Sequence, residues 1–387
     1  TLSSKFLSMR KLLGQQEAIR LIKASEDALF DIKKFCRDND IKADLRFDGV
    51  VMTTTNTAQR GLFNFLKNEL SLGGINSWQY WSQEKVQQYT GSQSHLDGYF
   101  SPIAGSVQPA LLVRGLKKVA ESLGVRIYEN TSMIKITEDY PGIVHTNRGN
   151  IIANKIVLAV NAWMPELFPK LNRSILLVSS DILLTEPVPK LLNKTGLLNG
   201  KAVLDACVFV HYYHSTPDGR LMIGKGGNYF AYNNKVVPVF DQASPYKQEL
   251  KQSLKRFFPS LESVRIEQTW SGASDRSITG LPFFGYLNNK PNIVYGFGYS
   301  GNGIGPSYLG GTILSSMVLE LDNEWTRSAL VKGPLGNFPP EPIRFLGAIA
   351  IRNAIRRKEK AEDKEKKPWW IDTQLAKFSR PSGRIDY

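Results

Sequence analysis

The stretch Tyr295-Gly-Phe-Gly-Tyr-Ser-Gly-Asn-Gly-Ile-Gly305 sits between a short apolar run, 293–295, and a long helical pattern, 306–321. Its five glycines let the backbone take positive φ and come close to a ligand. The helix behind them presents unpaired N–H groups and the positive end of its dipole. A strand, a glycine loop and a helix in that order make a place for an anion, or for the electron-rich edge of a cofactor ring. A glycine-rich turn also serves purely structural ends, so its meaning depends on what surrounds it.

Just upstream lies Trp270-Ser-Gly-Ala-Ser-Asp-Arg-Ser-Ile-Thr-Gly-Leu-Pro-Phe-Phe-Gly285, which by itself reads as a loop between strands. Working back toward the start, residues 17–39 carry apolar side chains at helical spacing, with Ser25 interrupting the stripe. Residues 45–54 alternate as a strand and 57–70 return to helix. Pro109 suits a helix first turn, and that helix runs to Gly124. Strands are expected over 125–128, 132–136, 143–146 and 151–160, the last apolar enough to be buried on both faces. A second sheet is expected from 174–184, 206–213 and 221–224, with a helix over 246–257. The fold class is mixed α/β (α+β).

The chain has 387 residues, 42% of them hydrophobic, and a net charge of +14. No apolar run approaches the roughly 18–20 residues that span a bilayer. Cys36 and Cys207 make neither a disulfide framework nor a metal-ligand spacing, so no metal is expected and a cytoplasmic location is. Thr1 in place of Met, with no signal-peptide pattern after it, reads as the start of a fragment. From 331 to 387 there are 13 Lys/Arg against 7 Asp/Glu. That helical, basic tail, dense around Arg352, Arg356, Arg357, Lys358 and Lys360, reads as a solvated face. Contact with a membrane surface is the open alternative, and nucleic acid is not expected.

The ordered set of a Trp-x-Gly segment, a Pro-x-x-Gly turn, a buried strand, Gly-x-Ser-Gly-x-Gly and a long helix resembles the C-terminal signature of the D-amino-acid oxidase/glycine oxidase superfamily of FAD-dependent oxidoreductases. Gly105-x-x-x-Pro109, Thr131-x-Met133-x-x-Ile136, Ile156-Val-Leu-Ala-Val-Asn-Ala-Trp163 and the hairpin Tyr212 to Gly224 are similar to further family segments, so the likeness covers about residues 1–330. Within the superfamily, 225–232, 274–277 and 340–344 resemble bacterial aminophosphonate oxidoreductases, relatives of γ-glutamylputrescine oxidases.

The resemblance implies a Rossmann-like FAD-binding domain (1–30, 101–168 and 264–330), an antiparallel-sheet substrate domain (31–100 and 169–263) and a tail (331–387). It implies that amides at Gly298, Gly301, Asn302, Gly303 and Ile304 face the flavin's pyrimidine edge, that Met133 lies by the adenine, and that Asn161, Ala162 and Trp163 form a cofactor turn. Gly272 stands where a flavin-linking Cys occurs in sarcosine oxidases, so FAD is expected to be non-covalent. No G-x-G-x-x-G closing a strand, with an acidic residue about 20 positions on, is expected in the chain, which therefore reads as lacking its first βαβ unit.

The activity so implied is oxidation of an amine's C–N bond (an aminophosphonate, polyamine derivative or amino acid) by hydride transfer to flavin N5. An imine, then an aldehyde or keto acid and ammonia, would follow, with dioxygen or another acceptor taking the electrons. Candidate catalytic residues are Trp270, Arg276, Tyr212 and His214. Strand alternation sends Tyr212 and His214 to one face and His211 and Tyr213 to the other, and the Tyr212 pair is expected to line the pocket. Arg276 is either a structural ion-pair partner or a substrate-anion clamp. Ser274 replaces the Arg that holds the carboxylate in glycine oxidase, which favours an amine without an α-carboxylate. The alternative is a non-catalytic flavin-fold remnant or accessory binding protein.

Overall fold

The computed structural model describes residues 1–197, 200–383 and 385–386. Leu198 and Asn199, in the expected substrate domain, and Arg384 and Tyr387, in the expected tail, lie outside them. The chain opens with α1 (Phe6–Leu13), α2 (Gln15–Asp38), β1 (Val50–Thr54), α3 (Leu62–Leu72), β2 (Gln79–Trp81), α4 (Gln83–Thr90) and β3 (Asp97–Ser101). Helix α5 (Pro109–Ser122), β4 (Met133–Thr137), β5 (Gly142–Thr146), β6 (Gly149–Ala153), β7 (Ile156–Leu158) and α6 (Met164–Leu167) follow. Next come β8 (Ile175–Thr185), α7 (Pro189–Thr195), β9 (Ala202–Asp205), β10 (His211–Ser215), β11 (Leu221–Phe230), α8 (Lys247–Phe257) and β12 (Ile266–Ser277). The chain closes with β13 (Phe283–Tyr286), β14 (Ile293–Phe297), α9 (Ile304–Val318), α10 (Ile343–Glu362) and α11 (Trp370–Lys377).

Among the described residues three sheets result. Eight strands pair in the order β12-β8-β11-β10-β9-β1-β3-β2; β13-β14-β7 and β4-β5-β6 make two sheets of three. In the first small sheet β14 runs parallel to β7, the arrangement expected of a cofactor-binding core, and antiparallel to β13. One face of the large sheet packs its apolar residues, among them Leu183, Tyr213, Leu221 and Ile223, on Leu250, Leu254 and Phe257 of α8. Helices α1, α2 and α9 share a second core built on Phe6, Leu21, Ile22, Ile313 and Met317. Ser25 sits inside that core without disrupting it, because its hydroxyl accepts from Leu2 N and donates to Ile22 O.

Several expectations need correction. The run 151–160 is split: β6 closes the β4-β5-β6 meander with Ile152 exposed, and only β7 joins the parallel pair. An apolar run alone cannot reveal the bend at Asn154-Lys155 that separates them. Residues 125–128 form no strand, and 206–210 form a turn ahead of β10. The segment 266–277 is a strand, β12, hydrogen-bonded along β8 as the outer strand of the large sheet rather than grouped with the cofactor segments. The boundary expected at residue 30 falls within α2, one uninterrupted helix. The basic tail is docked, not loose: Arg344 is buried and bonds Glu341 and the carbonyl of Asn172, Arg352 and Arg356 bond Asn228 and Gly227 of β11, and Arg357 pairs with Asp372.

Candidate functional site

Residues directly opposite one another in a sheet project to the same face. One such row runs across the large sheet through Trp270, Ile182, Gly224, Tyr212, Leu204, Met52 and Tyr99. Trp270 and Tyr212, placed 58 positions apart in sequence, thus share a face. A Cβ on Gly224 would collide with the Tyr212 ring, so the glycine is what lets that ring lie on the sheet. The Tyr212 hydroxyl is 2.7 Å from Ser180 Oγ, and Ser180 lies opposite both Gly272 and Gly226.

Alternation carries the same face of β12 from Trp270 through Gly272 and Ser274 to Arg276. There it meets the glycine loop: a Cβ on Gly301 would stand 3.3 Å from Ser274 Oγ and 3.7 Å from Arg276 Nη2. His214 shares the Tyr212 face, but its row, through Met222 and Leu184, reaches β12 at Gln268. At about 6.8 Å per two residues that is about 20 Å from Ser274 along the strand. The structure therefore sets Trp270 and Tyr212 in one row, with the Tyr212 hydroxyl turned toward Ser180, Ser274 and Arg276 about 14 and 20 Å farther along β12, and His214 on the other side of Tyr212, its Nδ1 2.9 Å from Ser215 O.

The parallel strands β7 and β14 end side by side, and ligands of α/β sheets bind beyond such carboxyl ends. From β7 comes Asn161-Ala162-Trp163: Asn161 at φ 43°, Ala162 packed with Leu177 and Ala273, and Trp163 exposed. From β14 comes the glycine loop, with Gly298 at φ 84° and Gly301 at φ 76°. Asn302 Nδ2 donates to Thr1 O. Met133, at the start of β4, packs partly buried against the core around Ile156 and Phe297.

What sequence reasoning missed is Asp275. Its side chain points away from the Ser274–Arg276 face and accepts from the amides of Gly298, Tyr299 (3.2 Å) and Ser300 (3.3 Å). Burial pushes its carboxyl up to about 6 against those three amide bonds. An acidic residue two before Ser277, facing a glycine loop more than 20 positions on, leaves no local pattern in sequence. Gly296-x-Gly298-x-x-Gly301 does have the fingerprint's glycine spacing, contrary to expectation. Its first amides are occupied by Asp275, and α9 leads to a 3₁₀ turn at Ala329–Val331 and the docked tail rather than to a parallel strand. It is not a pyrophosphate cradle.

Beyond Asp275's reach the loop is open. The amides of Gly301, Gly303 and Ile304 have no hydrogen-bond partner among the described residues, and a Cβ on Gly303 would meet nothing within 4 Å. Two buried side-chain atoms without hydrogen-bond partners among the described residues, Asn161 Oδ1 and Ser274 Oγ, belong to the elements that converge here. Unmet buried polar atoms are costly unless a ligand or water completes them. Free amides, a helix N-terminus and orphaned acceptors fit the polar edge of a flavin.

The family follows from the whole chain. Residues 6–317 match the profile of the DAO family, FAD dependent oxidoreductase. The chain belongs to the DAO family of FAD-dependent oxidoreductases. It is 26% identical over 315 residues to a probable oxidoreductase OrdL of Haemophilus influenzae, covering 80% of this chain and 69% of that protein. It is 25% identical over 234 residues to the γ-glutamylputrescine oxidoreductase of Escherichia coli, covering 60% of this chain and 52% of the relative. The glycine oxidase structure from Geobacillus kaustophilus superposes with a TM-score of 0.67 at 19% identity, over 82% of each chain. The DAO fold and an oxidoreductase role are thereby established, as is a FAD-dependent family.

On the opposite face of the large sheet the DAO chain carries a second polar group. Asp205, Cys207 and His211 present ligand atoms all within 4.8 Å of one another. Asp205 Oδ2 lies 2.6 Å from His211 Nδ1 and Lys225 Nζ lies 2.8 Å from His211 Nε2. An ammonium can only donate, so Nε2 accepts and Nδ1 carries the proton toward Asp205. That tautomer leaves Nδ1 no lone pair for a metal, and the cluster is a hydrogen-bonded relay. Burial would raise Asp205, but the His211 contacts outweigh it and hold it at about 2. Lys225 is therefore engaged rather than solvated.

Proposed function

We propose that this DAO-family chain oxidises the C–N bond of a small amine bearing a distal anionic group, at the junction of the β7 and β14 loops with the outer face of β12. The observation that carries the proposal is the convergence there of the unpartnered Asn161 Oδ1 and Ser274 Oγ with the open amides of Gly301, Gly303 and Ile304. FAD, when bound, supplies the electron-accepting ring; the protein's part is binding, orientation and electrostatics. The glycine-loop amides and the α9 terminus stabilise negative charge on the ring's edge. Trp270 and Tyr212 form an aromatic wall on the sheet face, and exclude water from the amine-bearing carbon. Ser274 is too short and uncharged to hold an α-carboxylate bidentately. Arg276, two residues on and facing the same way, is the cation within reach of a phosphonate or carboxylate placed farther along the substrate. A substrate amine that binds neutral needs no protein base.

The test is to load the purified chain with FAD and mix it anaerobically with 2-aminoethylphosphonate, putrescine derivatives and glycine, following flavin absorbance. Bleaching by the first two classes, with KM raised more than tenfold and kcat little changed in Arg276→Ala, is the expected result. Absence of flavin uptake even when the chain is joined to the nucleotide-binding βαβ unit it reads as lacking would refute the oxidase reading itself. Bleaching by α-amino acids alone would refute the substrate assignment.

A further inference from the structure

Helix α11 turns an apolar face outward. Trp370, Gln374 and Phe378 follow one another at four-residue spacing, with Ile371 and Lys377 beside them, while Asp372 points inward and is held by Arg357. Trp369, Trp370 and Phe378 are 63%, 69% and 72% exposed. Large aromatic side chains left this bare on a docked helix are unusual for a surface that meets only water. Cations bracket the face: Lys364, Lys366 and Lys367 precede it, Lys377 and Arg380 follow, and all five are exposed. The acids in the same segment are Glu365 and the already paired Asp372.

We propose that this face is a docking surface for an anionic lipid bilayer. Tryptophans place an apolar body and a polar N–H at the headgroup level, and lysines reach lipid phosphates while their stems lie along the apolar boundary. Short amphipathic helices with cations around an aromatic face lie in the interface in this way. Among the described residues no helix is long and apolar enough to cross a membrane, so the contact is peripheral. Four of the tail's arginines do not compete for this role, because Arg344, Arg352, Arg356 and Arg357 are committed to internal partners. Charge complementarity selects lipid: the cations rim an aliphatic and aromatic patch instead of lining a groove that could track a nucleic-acid backbone. The proposal is independent of the substrate assignment above.

The experiment is co-sedimentation of the purified chain with vesicles of phosphatidylcholine alone or mixed with phosphatidylserine. Binding is expected to the mixed vesicles, weakening as salt rises. Each of Lys366→Ala and Lys367→Ala should weaken it about fivefold, the worth of one surface-bound charge. The triple substitution Trp369→Ser, Trp370→Ser, Phe378→Ser should abolish it while the unfolding midpoint stays unchanged, since all three side chains are exposed. No binding to mixed vesicles at low salt would overturn the proposal, as would binding that survives the triple substitution. Single-stranded DNA bound more tightly than vesicles through the same residues would overturn it too, as would a dimer that the triple substitution dissolves.

Discussion

Asp275 holds the glycine loop through its carboxylate, which accepts from backbone amides, and its sequence neighbours are Ser274 and Arg276, whose side chains face the other way into the candidate site. One strand residue thus fixes the loop that its two neighbours confront. Asp275→Ala leaves the amides of Gly298 and Tyr299 without an acceptor, while Ser300 N keeps the Asp275 carbonyl at 3.3 Å. Each such group costs about 1–3 kcal/mol, partly offset by relieving a buried carboxylate. A net loss of about 2–4 kcal/mol is expected, read as a lower urea midpoint together with weaker FAD uptake. An unchanged midpoint would mean that the carboxylate is not the loop's anchor. Tyr212 over Gly224 illustrates the same interdependence, since the ring has its position only because the opposite residue has no side chain.

The helix α10 was expected to be a solvated basic face and is instead a structural brace. Its Arg352 and Arg356 hold the irregular stretch of β11 at Gly227 and Asn228, and its Glu359 accepts from Val208 N, at 2.8 Å, in the turn ahead of β10. Burial pushes the Glu359 carboxyl up to about 7, with the Val208 amide and Lys225 pulling the other way. A folded-state value above the ordinary one means that the folded protein binds this proton more tightly than the unfolded chain. Its contribution to stability is complete below about pH 4.5 and is lost as pH rises through about 7. Glu359→Gln keeps the acceptor for Val208 and removes the titration. The variant should match the parent near pH 5 and exceed it by about 1–3 kcal/mol near pH 8, as measured by denaturant midpoints at both values. A gap that does not widen with pH would contradict this.

Across the molecule, apolar surface is distributed unevenly. Helix α5 packs Leu112 and Val119 on Ile41 and Cys36, yet none of its residues is fully buried. Leu111, Val113, Leu116 and Leu123, together with Ile134, Ile152 and Val157 of β4, β6 and β7, face outward. Exposed apolar side chains in this number leave α5 and these strands with surface that an apolar dye can reach. The chain should therefore enhance the fluorescence of 8-anilinonaphthalene-1-sulfonate under native conditions. Leu116→Lys with Leu123→Lys should reduce that signal without lowering the melting temperature; a dye-silent parent chain would show the face to be covered.

Local pattern determined a good deal by itself. The amphipathic stripe of α2, the proline that starts α5, the glycine loop ahead of α9 and the ordered motifs that place the chain in its family all depend on residues near one another, and short-range sterics and periodicity suffice for them. The same alternation argument separates Tyr212 from Tyr213. Only the tertiary structure could decide what meets across the sheets. Register put Trp270 in the row of Tyr212 and set the His214 row about 20 Å along β12 from Ser274, made 266–277 a strand of the large sheet, and broke 151–160 between two sheets. It also aimed Asp275 at the loop, turned Arg344, Arg352 and Arg356 of the tail inward, and left the aromatic face of α11 bare. Those outcomes come from pairing between distant segments, whose energies depend on which partners compete for a given edge or face, and no window along the chain contains that information.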